Sequence, residues 1–140
     1  MNNFRIEKEK YDKKYNEELN KTGIFWAFTN EQFENFKTHK QAPDSDYISV
    51  FAGGYVHKSN KKKLDKFFNE ILPKLNTEFI SKIDLKDLIR YELDNRECFY
   101  TGEWQIILPT IEYYLNNDIS KSVEIYKLIE ETYKEGLKEE

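Results

Sequence analysis

The sequence predicts a mostly helical α+β fold with one small antiparallel sheet. Leu64, Phe67, Phe68, Ile71, Leu72 and Leu75 recur at helical spacing, as do Leu85, Leu88, Ile89 and Leu93. YISVFAGGYVHK, residues 47–58, sets two β-rich runs around Gly53 and Gly54 and predicts a hairpin. The dense aromatic run at 24–28 supplies a third strand. At 140 residues, without internal repeat or low-complexity linker, the chain predicts one domain over 1–140.

Each element has a local reason. Residues 2–21 read as a highly charged helix whose thin apolar stripe is Phe4, Tyr11, Tyr15 and Leu19; Gly23 stops it. So narrow a stripe buries little, and the segment 1–22 is expected to lie across the domain or project from it. In FTNEQF, Thr29 predicts a helix N-cap, Gln32 completes a capping box, and Phe28 with Phe33 forms a hydrophobic staple. That helix is expected to reach about Lys40, before the turn chemistry of QAPDSD. Pro73 is expected to end or kink the helix that begins near Leu64. Asp84 caps a helix predicted from Leu85 to about Cys98. Residues 102–116 repeat the helical pattern around Pro109, and a last helix over 120–137 shows Val123, Tyr126, Tyr133 and Leu137 on one side. The predicted core is Trp26, Phe28, Phe51, Phe67, Phe68, Ile71, Leu88 and Leu93.

Lysines and arginines number 22 against 26 acids, a net charge of −4, so neither a strongly basic nucleic-acid binder nor an acidic tail describes the chain. Ten Phe, ten Tyr and two Trp point to an aromatic-rich core. The single cysteine, Cys98, excludes an internal disulfide and favours a reducing compartment. With no signal-like N-terminus and no apolar run of membrane-spanning length, a cytoplasmic protein without membrane contact is expected.

Four groups of residues invite a functional reading. Glu92 and Arg96 both fall within the apolar arc of the helix over 85–98, four residues apart with the acid first. With Asn95 and Glu97 they form a candidate polar site, read either as a docking pair or as a pocket floor where Arg96 offers its fork to an anion. GGYVHKSNKKK sets Lys58, Lys61, Lys62 and Lys63 after two glycines. This is a solvated lysine face or a basic patch for an acidic protein surface or a nucleic-acid backbone, and GxxxxGK[ST] does not match. Tyr11, Tyr15 and Tyr55 are candidate surface anchors. In NEQ, capping absorbs Gln32 and the helix dipole accounts for Glu31, leaving Asn30. His39 and His57 show no metal-ligand spacing, no nucleophile motif is present, and Cys98 reads as a packed helix-end residue. No catalytic residue, metal or cofactor is therefore assigned.

FWAFTNEQF, FAGGYVHK and YELDNRECFYTG together resemble an uncharacterised set of small proteins from phages and integrative elements of Gram-positive bacteria. Those proteins share F-x-A-F-[ST]-N-E-Q-F, a glycine-rich hairpin with a following basic residue, and Y-E-L-x-N-H-E. The resemblance spans 24 to about 103 and implies Asn30, Glu31, Gln32, Gly53, Gly54, Lys58, Glu92, Asn95 and Glu97 as matching positions. Arg96 stands where that pattern has His, which removes a metal or proton-transfer reading. The setting implies a non-enzymatic interaction protein that blocks a host defence complex, protein or ribonucleoprotein, in the manner of an anti-CRISPR. The alternatives are a binder of a small anion or nucleotide and an enzyme built on carboxylates around Glu92. Target and oligomeric state stay open.

Overall fold

In a computed structural model, residues 2–51 and 53–139 are described; Met1, Ala52 in the predicted hairpin and Glu140 lie outside them. The elements are α1 (Asn2–Asn20), β1 (Phe25–Trp26), α2 (Asn30–Phe36), β2 (Tyr47–Phe51), β3 (Gly54–His57), α3 (Lys61–Lys66), α4 (Leu72–Lys82), α5 (Leu85–Asn95), α6 (Cys98–Thr101), α7 (Leu108–Tyr114) and α8 (Ser122–Glu139). A mostly helical α+β fold with a small three-stranded antiparallel sheet is what the sequence predicts. Within it the chain divides into two compact units: Asp12–Lys74, and the segment up to Tyr11 together with that from Leu75 onward.

The Asp12–Lys74 unit holds the sheet, in the order β1-β3-β2. Phe25 pairs with Tyr55 and Trp26 with Gly54, while β2 pairs with β3 through a register shift between Ser49 and Phe51. The alternation of β1 buries Phe25 and Ala27 and turns Trp26 and Phe28 outward. Phe25, Phe33, Tyr47 and Tyr55 form a ring cluster on one face, with centroids 5.1–5.9 Å apart. The expected core is thus one residue out of phase here: Trp26, Phe28 and Phe51 are exposed, because Phe25 and not Trp26 meets α2. A one-residue error in a strand moves every side chain to the opposite face.

Helix α2 stops at Phe36, short of Lys40. Lys37 turns out of the helix, and its buried ammonium binds Glu34 at 3.0 Å, Asp44 at 3.4 Å and the Ala42 carbonyl at 3.4 Å. The Glu34 carboxylate raises the Lys37 pKa, against the opposing effect of burial. Pro73 does not end its helix: α3 continues through a π turn, Phe67–Ile71, into α4. There the Leu72 N–H donates to the Phe67 carbonyl, and this wider turn ahead of Pro73 accommodates a residue that has no N–H to give. Phe67 is fully buried and Tyr15 meets it edge-on at 5.3 Å, whereas Phe68 and Ile71 are half-buried.

In the other unit, Phe4, Tyr11, Phe79 and Tyr114 form an aromatic cluster with centroids 4.9–6.2 Å apart. The Tyr11 hydroxyl donates to Asn76 Oδ1 at 2.6 Å, and Asn76 Nδ2 donates in turn to the Tyr113 carbonyl. Leu88, Ile89 and Leu93 of α5 are buried as predicted, and Asp84 caps the helix by accepting from the Lys86 N–H at 2.9 Å. Pro109 sits in the first turn of α7, where a missing N–H costs nothing. Helix α8 buries Ile125, Ile129, Thr132 and Gly136 and leaves Val123 and Leu137 exposed.

Candidate functional site

Around Glu92 the local chain explains the geometry. Helix α5 ends at Asn95, earlier than expected, since Glu97 takes a left-handed conformation (φ 55°) that unwinds it before the short α6. Glu92 is therefore buried on the helix, 5% exposed, while Arg96 lies past its end and is largely open to solvent, correcting its placement in the apolar arc. Arg96 Nε stands 3.9 Å from Glu92 Oε2, and its Nη2 donates to Thr110 Oγ1 at 3.0 Å. Burial raises the Glu92 pKa; Arg96 and, more weakly, Lys8 pull it down. Burial also raises the Cys98 thiol, which is the opposite of what a nucleophile needs. Asn95 and Glu97 are exposed; Glu97 with Asp94, Phe99 and Tyr100 lines an open groove of about 470 Å³, and Glu92 does not line it.

The basic patch is partly neutralised within the Asp12–Lys74 unit. Lys58 pairs with Asp46 at 3.2 Å and Lys61 pairs with Asp65; Lys58, Lys62 and Lys63 are exposed. The tyrosine anchors need correction as well. Tyr11 is buried, because it completes the aromatic cluster and bonds Asn76, while Tyr15 and Tyr55 are half-buried against Phe67 and Phe25. His39 and His57 stack with centroids 3.9 Å apart, and His57 Nδ1 accepts from the Ser59 N–H at 3.2 Å. No group of three or more His, Cys, Asp or Glu able to hold a metal occurs among the described residues.

A different surface emerges at the hairpin end of the sheet. Trp26 (43% exposed), Phe28 (75%) and Phe51 (46%) all stand out to solvent. Trp26 and Phe51 flank Gly54 in register and stack with centroids 6.1 Å apart, and Phe68 meets Phe51 edge-on at 5.5 Å. The glycines make this possible: a Cβ on Gly54 would press on the Trp26 ring, and one on Gly53 (φ 81°) would lie inside the Phe28 ring. Of the expected staple pair, Phe28 lies over Gly53 while Phe33 joins the buried-face ring cluster. The capping chemistry is present with one change of partner. Thr29 Oγ1 accepts from the Gln32 N–H at 3.1 Å, but Gln32 Oε1 accepts from the Phe28 N–H at 2.8 Å and so pins Phe28. Beside Phe28 opens a groove of about 510 Å³ lined by Phe28, Asn30, Phe33, Asp44 and Tyr55 among others. Two of the resembling motifs, FWAFTNEQF and FAGGYVHK, thus converge on one surface; Asn30 lines it, and Glu31 is exposed next to it. Counting which aromatics a two-residue strand cannot bury would have signalled it.

A family of unknown function, DUF7659, matches residues 7–135. The chain belongs to this family. Its match takes in the greater part of α1 and α8 as well as the three motifs, a wider span than the motifs alone mark out. No curated protein and no solved structure matches the chain.

Proposed function

We propose that this chain is a non-enzymatic interaction protein that docks onto a partner protein through the Trp26–Phe28–Phe51 surface. One observation carries the reading: three large aromatic side chains are held outward over a glycine pair. Scaled by the fractions exposed, they offer roughly 250–400 Å² of contiguous apolar area, the size of patch that on a soluble protein tends to be functional. Aromatic residues in such a patch are the side chains that dominate binding energies. The resemblance to mobile-element proteins supplies the finer proposal, that the partner is a host defence complex and that binding inhibits it stoichiometrically. Glu92 supports a binding role over catalysis, since its pKa is raised by burial but it lines neither groove described above.

The experiment is expression in cells carrying individual defence systems, scored by phage or plasmid survival and by partner capture, with Trp26→Ser, Phe28→Ser and Phe51→Ser combined. Loss of protection and capture by a variant that folds normally is expected. Turnover of a small molecule by substoichiometric protein, with protection in no system, would replace this reading with an enzymatic one. Protection that survives the triple substitution but falls when Lys61, Lys62 and Lys63 become Glu would move the contact to the lysine face.

A further inference from the structure

Resting on that docking reading, we infer that the groove beside Phe28 receives an arginine or lysine side chain of the partner protein. The groove is lined by the aromatic residues Phe28, Phe33 and Tyr55, the neutral polar Thr29 and Asn30, and, among the described residues, one formally charged residue, Asp44. Among the described residues no lysine or arginine lines it. Aromatic residues and a carboxylate lining one groove suit a cation carried on an apolar stem, since aromatic rings attract positive charge and the stem covers apolar surface. Asp44 Oδ1 accepts from Lys37 at 3.4 Å, but that ammonium lies closer to Glu34, at 3.0 Å; Asp44 Oδ2 has no partner among the described residues. Exposed Glu31, next to Asn30 in the first turn of α2, adds negative potential at the same place.

The same charges decide against other occupants. Asp44 and Glu31 would repel the phosphates of a nucleic acid or a small anionic ligand. A second copy of the chain fits poorly, since a stable dimer buries about 800 Å² on each partner and the aromatic surface offers about half of that or less. A volume of about 510 Å³ leaves ample room for a long basic side chain. The partner segment then lays an apolar residue on Trp26 and Phe51 and turns a neighbouring basic residue into the groove.

The test titrates the full chain with the peptide acetyl-Leu-Arg-Leu-amide and with its citrulline counterpart, which keeps the shape and loses the charge. NMR signals of Phe28, Asn30 and Tyr55 report occupancy. The arginine peptide is expected to bind about tenfold more tightly than the citrulline peptide, the difference that one charge-assisted contact makes. Asp44→Asn should abolish that preference, and Phe28→Ala should weaken both peptides. Because Asp44 also touches Lys37, thermal unfolding of Asp44→Asn is measured alongside; Asn30→Ala, outside the Lys37 contacts, should weaken the arginine peptide about threefold. Equal binding of the two peptides, signal changes elsewhere, or no binding at all would overturn the inference. So would free arginine amide binding as tightly as the peptide, or self-association of the chain through this groove. A captured partner that depends on Trp26 and Phe51 yet is indifferent to Asp44→Asn would sink the cation site while leaving the docking surface in place.

Discussion

Glu92 is a carboxyl whose burial outweighs the attraction of its neighbours. Its pKa is raised by desolvation, with Arg96 at 3.9 Å the largest opposing influence. A folded-state pKa above the unfolded value means that the folded chain holds the proton to higher pH. The contribution to stability is therefore fully present below the usual carboxylate range and is lost as pH rises through the raised value. Glu92→Gln should flatten this fall, so that urea unfolding of the variant varies less with pH from the carboxylate range to neutrality than that of the parent; parallel profiles would contradict it. Glu97 tells a related story in the backbone. A side chain at φ 55° sits in the left-handed region, which costs roughly 1–2 kcal/mol for a residue with a Cβ. Glu97→Gly is predicted to stabilise the fold by about 1 kcal/mol in chemical denaturation, after the entropy penalty of glycine. Neither feature is visible in YELDNRECFY as a string. The sequence marks Glu92 and Arg96 as neighbours on a helix, but where α5 stops is decided by the backbone at Glu97.

At the scale of elements, glycine and proline positions mislead a reading by propensity. Gly136, in the last turns of α8, looks like a weak point in a helix, yet it is buried because the Phe99 ring lies against it where a Cβ would be; Arg90 in turn stacks on Phe99 at 4.7 Å. Gly136→Ala should therefore destabilise by about 1–3 kcal/mol through overpacking, although alanine is the better helix former by roughly 1 kcal/mol. A rise in melting temperature would show that the ring gives way freely. In the continuous helical run from α3 to α4, the π turn brings Phe67 fully into the interior and leaves Phe68 half-buried. Phe67→Ala should cost about 3–5 kcal/mol and Phe68→Ala clearly less, measured by denaturant midpoint at unchanged slope. Both phenylalanines match the helical period, and only a π turn, with its extra residue, separates them. Where local chemistry is self-contained the reading succeeds: Thr29, Asp84 and the hairpin at 47–58 stand where their side chains and glycines place them.

For the whole molecule, the balance of charge and hydrophobicity hides an uneven surface. The lysines and glutamates spread over the helices, several of them in local pairs such as Lys134 with Glu130 and Lys82 with Glu78, each worth little in water. The aromatic surface over Gly53 and Gly54 is concentrated by contrast. Replacing Trp26, Phe28 and Phe51 together by Ser should leave the unfolding midpoint close to the parent's and improve solubility while abolishing partner capture, since these large apolar side chains stand exposed at the hairpin end of the sheet. A large loss of stability would mean that they serve the fold and not a partner.

The sequence by itself determined what short-range chemistry controls: the fold class, the helix starts at Thr29 and Asp84, the hairpin, and the burial of Leu88 and Leu93. It also marked the motif residues Asn30, Gly53 and Gly54 as unusual. Only the tertiary structure decided which face of each element turns inward, because a strand of two residues and a helix with an inserted π turn have no period long enough to declare one. For the same reason Phe28 and Trp26 pass from expected core to candidate interface: their outward stance depends on glycines 25 to 28 residues further along the chain, brought beneath them by the pairing of β1 with β3.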